Sequence, residues 1–247
     1  MSLFVIGDTH LSFSCEKPMD IFGSRWHGYT EKLEEQWRAL VKDEDTVVIA
    51  GDISWAMTVD EAKADFDFLE NLPGKKIIMK GNHDYWWQTM SKLGAFVEKN
   101  EYKTLTFLHN NAYVCEDFVI CGSRGWYNDD KGAPIRGADS EKIVAREVVR
   151  LGISLSEGLR LREEEKAKDG KEREVLAFLH FPPIFKGYMC DEIIMELYKK
   201  EVSRCFFGHI HGSYDHPIKI NYADIDFFFI SADYLNFRPY KIEPKNM

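Results

Sequence analysis

The sequence predicts an α/β protein whose sheets mix parallel and antiparallel strands. Short β-branched and aromatic runs alternate with longer amphipathic stretches along the chain. Five of the short runs hand over at their ends to a carboxylate, amide or imidazole residue, as strands of an open α/β sheet do at their C-terminal edge. In the middle of the chain, tight turns at His109-Asn110-Asn111 and Glu116-Asp117 join neighbouring strand-like runs. Such turns belong to antiparallel pairs.

In chain order, strands are predicted at Leu3–Gly7, Thr46–Ala50, Lys76–Lys80, Thr104–His109, Ala112–Cys115, Phe118–Cys121, Val175–His180, Arg204–Gly208 and Ile225–Ser231. Helices are predicted at Tyr29–Val41, Val59–Leu72, Trp86–Lys99, Asp139–Glu165 and Asp191–Lys199. The fourth helix carries apolar residues at Val144, Val148, Leu151, Leu155 and Leu159, the spacing of one buried face. Beyond it, Arg160 to Arg173 is almost all charge and reads as a solvated helix end and loop. No repeat or low-complexity linker divides the chain. A single domain over residues 1–247 is expected, with residues 123–174 forming a loop-plus-helix insertion near the site.

The composition, 45% apolar and 30% charged over 247 residues, is that of a soluble globular protein. The net charge of −9 argues against a nucleic-acid coat, whose affinity rests on Lys and Arg neutralising phosphates. It leaves room for a phosphate substrate, because bound metal ions reverse the local field. The chain opens MSLFVIGDTH, with no basic leader and no apolar stretch long enough for a signal peptide or a membrane span. Its five cysteines are scattered without a CxxC pair. Reduced thiols and a cytoplasmic location are the expectation.

The chemistry gathers just past the strands. Asp8 and His10 follow the first, Asp52 the second, Asn82, His83 and Asp84 the third; His180 closes a later one, and His209 and His211 follow the next. Carboxylate, imidazole and amide oxygen without thiolate make a donor set for hard to borderline divalent cations. In extended chain, the i, i+2 spacing of Asp8-x-His10 and His209-x-His211 sends both members of a pair to one side. The glycines before Asp52, Asn82 and His209 permit tight turns there. Alone, an Asp-x-His or a Gly-Asp is an ordinary turn, and a buried histidine is commonly a satisfied core residue. All five elements together, each after a strand, point to one site.

In this order the motifs resemble those of the calcineurin-like metallophosphoesterases: Asp8-Thr9-His10, Gly51-Asp52, Gly81-Asn82-His83-Asp84, His180 and Gly208-His209-Ile210-His211. The resemblance spans residues 8 to 211 and is similar to the small prokaryotic phosphohydrolase branch. It implies a four-layer α/β/β/α sandwich with two mixed sheets and two divalent metals (manganese, iron or zinc) at one edge. It assigns Asp8, His10 and His211 to the first metal, Asn82, His180 and His209 to the second, and Asp52 to the bridge. His83 is left for the phosphate, to protonate the leaving oxygen or stabilise charge on it.

One departure bears on the substrate. The protein-phosphatase branch continues its second motif as G-D-x-x-D-R-G, where this chain reads Gly51-Asp52-Ile53-Ser54-Trp55-Ala56. Trp55 stands in place of the Asp that orients the histidine, and no Arg follows. A small phosphomonoester or phosphodiester is therefore the expected substrate, ahead of phosphoproteins; a nuclease, or a scaffold that has lost turnover, is the alternative. What orients His83 is left open, Asp84 being the neighbour in sequence. Aromatic residues flank the motifs at Trp55, Tyr85-Trp86-Trp87 and Trp126-Tyr127, suited to substrate stacking or to packing helices on the sheet. Arg25, His27, Arg124 and Arg136 are available to an anion or to the surface, and Asn82, His83, Arg124 and Trp126 are the candidate substrate contacts. His109 and His216 read as structural, and Pro182-Pro183 stiffens the turn after His180.

Overall fold

Runs of four to six β-branched and aromatic residues, too short for a helix and flanked by turns, form the strands. The computed structural model describes residues 1–126 and 137–245. In chain order they hold β1 (Leu3–Ile6), α1 (Tyr29–Leu40), β2 (Thr46–Ile49), α2 (Lys63–Asn71), β3 (Lys75–Ile78), α3 (Met90–Lys99), β4 (Leu105–Phe107), β5 (Ala112–Cys115) and β6 (Phe118–Ser123). Then come α4 (Gly137–Asp169), β7 (Glu174–Leu179), β8 (Ile184–Phe185), β9 (Tyr188–Met189), α5 (Asp191–Lys199), β10 (Arg204–Phe207), β11 (Lys219–Tyr222), β12 (Ile225–Phe229) and β13 (Tyr240–Ile242). The chain folds into two units, one of Met1–Phe107, Gly208–His216 and Ile230–Met247, the other of Leu108–Phe207 and Pro217–Phe229. Each is built on its own mixed sheet, so the expected α/β class with both strand directions is the one observed.

The first unit's sheet runs β13-β1-β2-β3-β4, parallel except for β13 at the edge. Every residue of β1 and β2 is buried, as central parallel strands require. Phe4, Ile6, Val47, Ile49 and Ile78 share a core with Leu33 and Trp37 of α1, Phe66 and Leu69 of α2, and Leu93 and Phe96 of α3. Each such side chain contributes about 1.5–3 kcal/mol by leaving water. Lys76 is the polar exception in β3; its ammonium donates to the carbonyls of Leu72 and Gly74 at 2.6 and 2.8 Å.

The second unit's sheet runs β11-β12-β10-β7-β6-β5, parallel in the middle with β11 and β5 antiparallel at its edges. Helix α4 packs on β5 and β6, and α5 packs on α4. The stripe expected on α4 is only partly the buried face. Leu151 and Leu155 are buried, but Val144, Val148 and Leu159 are half-buried, and Glu147 and Ser154 are fully enclosed. These polar residues are tolerated because they are partnered. The Ser154 hydroxyl accepts from the Gly122 N–H at 2.9 Å and donates to the Asn111 carbonyl at 2.6 Å. The Glu147 carboxylate lies 2.7 Å from Arg150 and 3.7 Å from Arg124. Among the described residues, no helix is long and apolar enough to cross a membrane, and all five cysteines are free thiols.

Candidate metal centre

The first unit gathers seven of the eight residues of the expected centre: Asp8, His10, Asp52, Asn82 and His83 on the loops that leave β1, β2 and β3, and His209 and His211 on its segment Gly208–His216. The loops after β1 and β2 are stitched together: Asp8 N–H donates to Gly51 O, and His10 N–H to Asp52 O, both at 2.9 Å. The extended backbone expected around these pairs is not what forms. Asp8, His10, Asp52 and His209 have φ of 58°, 46°, 51° and 73°, in the left-handed region. A non-glycine residue there costs about 1–2 kcal/mol, and four such residues among the proposed ligands mark a backbone strained in order to aim side chains. Two glycines are required by close approach. A Cβ on Gly81 would overlap the Asp52 carboxylate, and one on Gly208 would overlap that of Asp8.

Asp8, His10 and His211 each bring a ligand atom to within 4.8 Å of the others. Nε2 of His10 and Nε2 of His211 face each other at 3.1 Å, and the Asp52 carboxylate lies 3.8 Å from His10. Asp8 and Asp52 are almost fully enclosed, at 0% and 1% exposure. Burial, reinforced by Asp52 and opposed by His211, pushes the Asp8 pKa up to about 8. Burial raises that of Asp52 too. Burial disfavours a charged His211 ring, yet Asp233, Asp8 and Asp52 outweigh it and raise its pKa. Two buried carboxylates thus face imidazole lone pairs where positive charge is favoured. That donor set fits a divalent cation, which removes the cost of enclosing both carboxylates.

Asp233, which the sequence analysis missed, stands behind His211. Its carboxylate accepts from His211 Nδ1 at 2.8 Å, from Gly212 N–H at 3.0 Å and from the Tyr214 hydroxyl at 3.1 Å. It leaves Nε2 of His211 turned toward His10. Arg25 braces this loop, donating to the Asp233 and Tyr234 carbonyls at 2.9 and 3.3 Å, with its guanidinium 3.7 Å above the Tyr214 ring. Asp233 comes shortly after a strand, as the proposed ligands do, but no motif flags it.

Asp84 is a loop organiser and leaves the His83 ring alone. Its buried carboxylate accepts from the N–H groups of Asp52, Ile53, Ser54 and Gly81 and from the Trp86 indole, at 2.7–3.3 Å. Burial and the nearby Asp52 raise its pKa to about 7. His83 donates its backbone N–H to Asp52 at 2.8 Å. Its ring lies 4.5 Å from the Trp55 ring, and its Nδ1 is 3.4 Å from the Tyr85 hydroxyl. The flanking aromatics therefore divide. Trp86 packs edge-on against Phe66 of α2 and Trp87 against Phe107 of β4, anchoring the loop before α3, whereas Trp55 and Tyr85 meet His83.

In the second unit His180 is fully buried just past β7, its N–H donating to the Arg124 carbonyl at 3.2 Å. The Arg124 side chain turns to Glu147, and Trp126 packs on Phe181 with ring centroids 5.7 Å apart. Tyr127 and Arg136 lie outside the described residues. His27 is exposed, 4.0 Å from Asp20.

The family model described as calcineurin-like phosphoesterase matches residues 1–213. An uncharacterized protein of Methanocaldococcus jannaschii is 27% identical over 113 residues, 44% of this chain and 58% of that protein, so the chain spans less than two thirds of that relative. Two solved structures resemble the whole chain at low identity. The phosphopantetheinyl hydrolase of Mycobacterium tuberculosis has 13% identity and a TM-score of 0.50, covering 100% of this chain and 98% of that one. The TT1561 protein of Thermus thermophilus has 10% identity and a TM-score of 0.52, covering 98% and 97%. At these identities they speak for the fold.

Proposed function

The chain belongs to the calcineurin-like phosphoesterase family, and from that premise we propose that it hydrolyses a small phosphomonoester or phosphodiester at a centre of two divalent cations. The observation that carries this reading is the buried cluster of Asp8, His10 and His211 beside Asp52. Asp8, His10 and His211 would hold one cation (manganese, iron or zinc), and Asn82, His180 and His209 the other, with Asp52 shared. When bound, the two cations supply the Lewis-acid charge that activates water and neutralises the phosphoryl oxygens.

The remaining work falls to the chain. Asp8 and Asp52, enclosed by strained loops, hold their carboxylates in fixed positions. A water oxygen bonds to phosphorus and gives up its proton as the bond from phosphorus to the leaving oxygen breaks; the electron pair of that bond stays on the leaving oxygen, and His83 gives it a proton. Asn82, Arg124 and Trp126 are the proposed companions of His83 in binding substrate. Trp55, standing where the phosphoprotein branch has its Asp, favours a small substrate. Residues 1–247 are read as one functional domain with 123–174 as its insertion, and five free thiols suit a cytoplasmic setting.

The test is hydrolysis of p-nitrophenyl phosphate and bis(p-nitrophenyl) phosphate by the chain reconstituted with Mn²⁺. Turnover of either ester is expected. Two tightly held ions with no turnover of any phosphoester would favour a scaffold.

A further inference from the structure

We propose that Trp55 is the positioning residue for His83, fixing with an aromatic face the ring that no carboxylate holds. The inference rests on the phosphoesterase reading and says how that site keeps its proton donor aimed. Among the described residues, no carboxylate hydrogen-bonds the His83 imidazole. Its nearest ring neighbour is Trp55 at 4.5 Å, inclined by 46°; the His10 ring lies farther off at 5.9 Å, and the Tyr85 hydroxyl is 3.4 Å from Nδ1, a long hydrogen bond. Tyr85 is itself exposed and the His10 ring is more distant, so the closest rigid neighbour is Trp55.

Trp55 is fixed on several sides. Its backbone N–H donates to Leu11 O at 2.9 Å, which ties it to the loop carrying His10. Its indole N–H donates to the Met19 sulfur at 3.1 Å. Its ring stacks on His10 at 4.9 Å and 18°, and the Lys17 ammonium sits 4.7 Å from its centroid. The indole thus spans a proposed metal ligand and the proposed proton donor, and sets one relative to the other. Packed rings resist the rotamer change that would swing His83 away, and misplacement by about 1 Å is enough to cost about 10²-fold in rate.

The prediction separates this role from plain core packing. A misplaced proton donor matters most when the leaving group is poor, because p-nitrophenolate departs with little help and phenolate does not. Relative to the Mn²⁺-loaded wild type, Trp55→Ala should lose about tenfold in kcat on p-nitrophenyl phosphate and about a hundredfold on phenyl phosphate. Trp55→Phe, which keeps a ring face, should recover most of both. On phenyl phosphate, Trp55→Ala combined with His83→Ala should be no slower than His83→Ala alone. Mn²⁺ affinity of Trp55→Ala, measured by calorimetry, should fall less than tenfold. Equal losses on the two esters, additive effects in the double variant, or a larger fall in affinity would assign the ring to His10 or to the core and overturn the proposal. Absence of turnover by the wild type on every phosphoester would instead defeat the phosphoesterase reading and take the proposal with it.

Discussion

Asp233 sits behind His211 and orients that proposed ligand, accepting a hydrogen bond from the ring nitrogen on the side away from His10. A carboxylate in that position typically sets 10–100-fold in metal affinity. Asp233→Ala should therefore weaken Mn²⁺ binding by about that factor in calorimetry while the folded chain persists in circular dichroism; undiminished affinity would contradict the role. His83 and Asp52 should part company in the same way. His83→Ala should keep its metal but lose about 10²–10⁴ in kcat. Asp52→Ala should lose metal, as read by elemental analysis. The motif residues were legible in the sequence because each sits after a strand in a fixed order. Asp233 was not, because its role depends on the loop after β12 meeting the ring of His211, which no spacing encodes. The job of Asp84 is open in the sequence for a related reason. Nearness in sequence suggested the His83 ring, whereas the carboxylate turns inward to the N–H groups of two loops.

Among the elements, the buried ones were the easiest to read. β1, β2, β7 and β10 are nearly continuous apolar runs and fall within a residue or two of expectation. The edge strand β11 was missed because it is polar and largely exposed, so its hydropathy looks like loop. Helix α3 begins at Met90 instead of Trp86, because Trp86 is spent donating to Asp84. On α4 the stripe count overlooked Ser154, whose hydroxyl ties the helix to β6 and to the turn before β5. Ser154→Ala removes both of these buried hydrogen bonds, which should lower stability by about 1–3 kcal/mol in urea unfolding. A change below a few tenths would show that the bond is dispensable.

For the whole molecule, strain and burial at the centre carry a thermodynamic consequence. Four non-glycine residues in left-handed conformation and two enclosed carboxylates cost folding energy. Cations that bind only the folded chain return stability, about 2.7 kcal/mol per site at a hundred times Kd. For a chain of this length that is roughly 10 °C in Tm from two sites. Chelator should lower the Tm of the Mn²⁺-loaded protein by about that much, and the loss should shrink in Asp52→Ala in step with the ions it no longer holds. The most direct measurement is a calorimetric titration of Mn²⁺ into the metal-free chain, followed by elemental analysis of the desalted complex. Two ions per wild-type chain, and fewer than two in Asp52→Ala, are predicted; one ion or none in the wild type would contradict the two-cation centre on which the proposed chemistry depends.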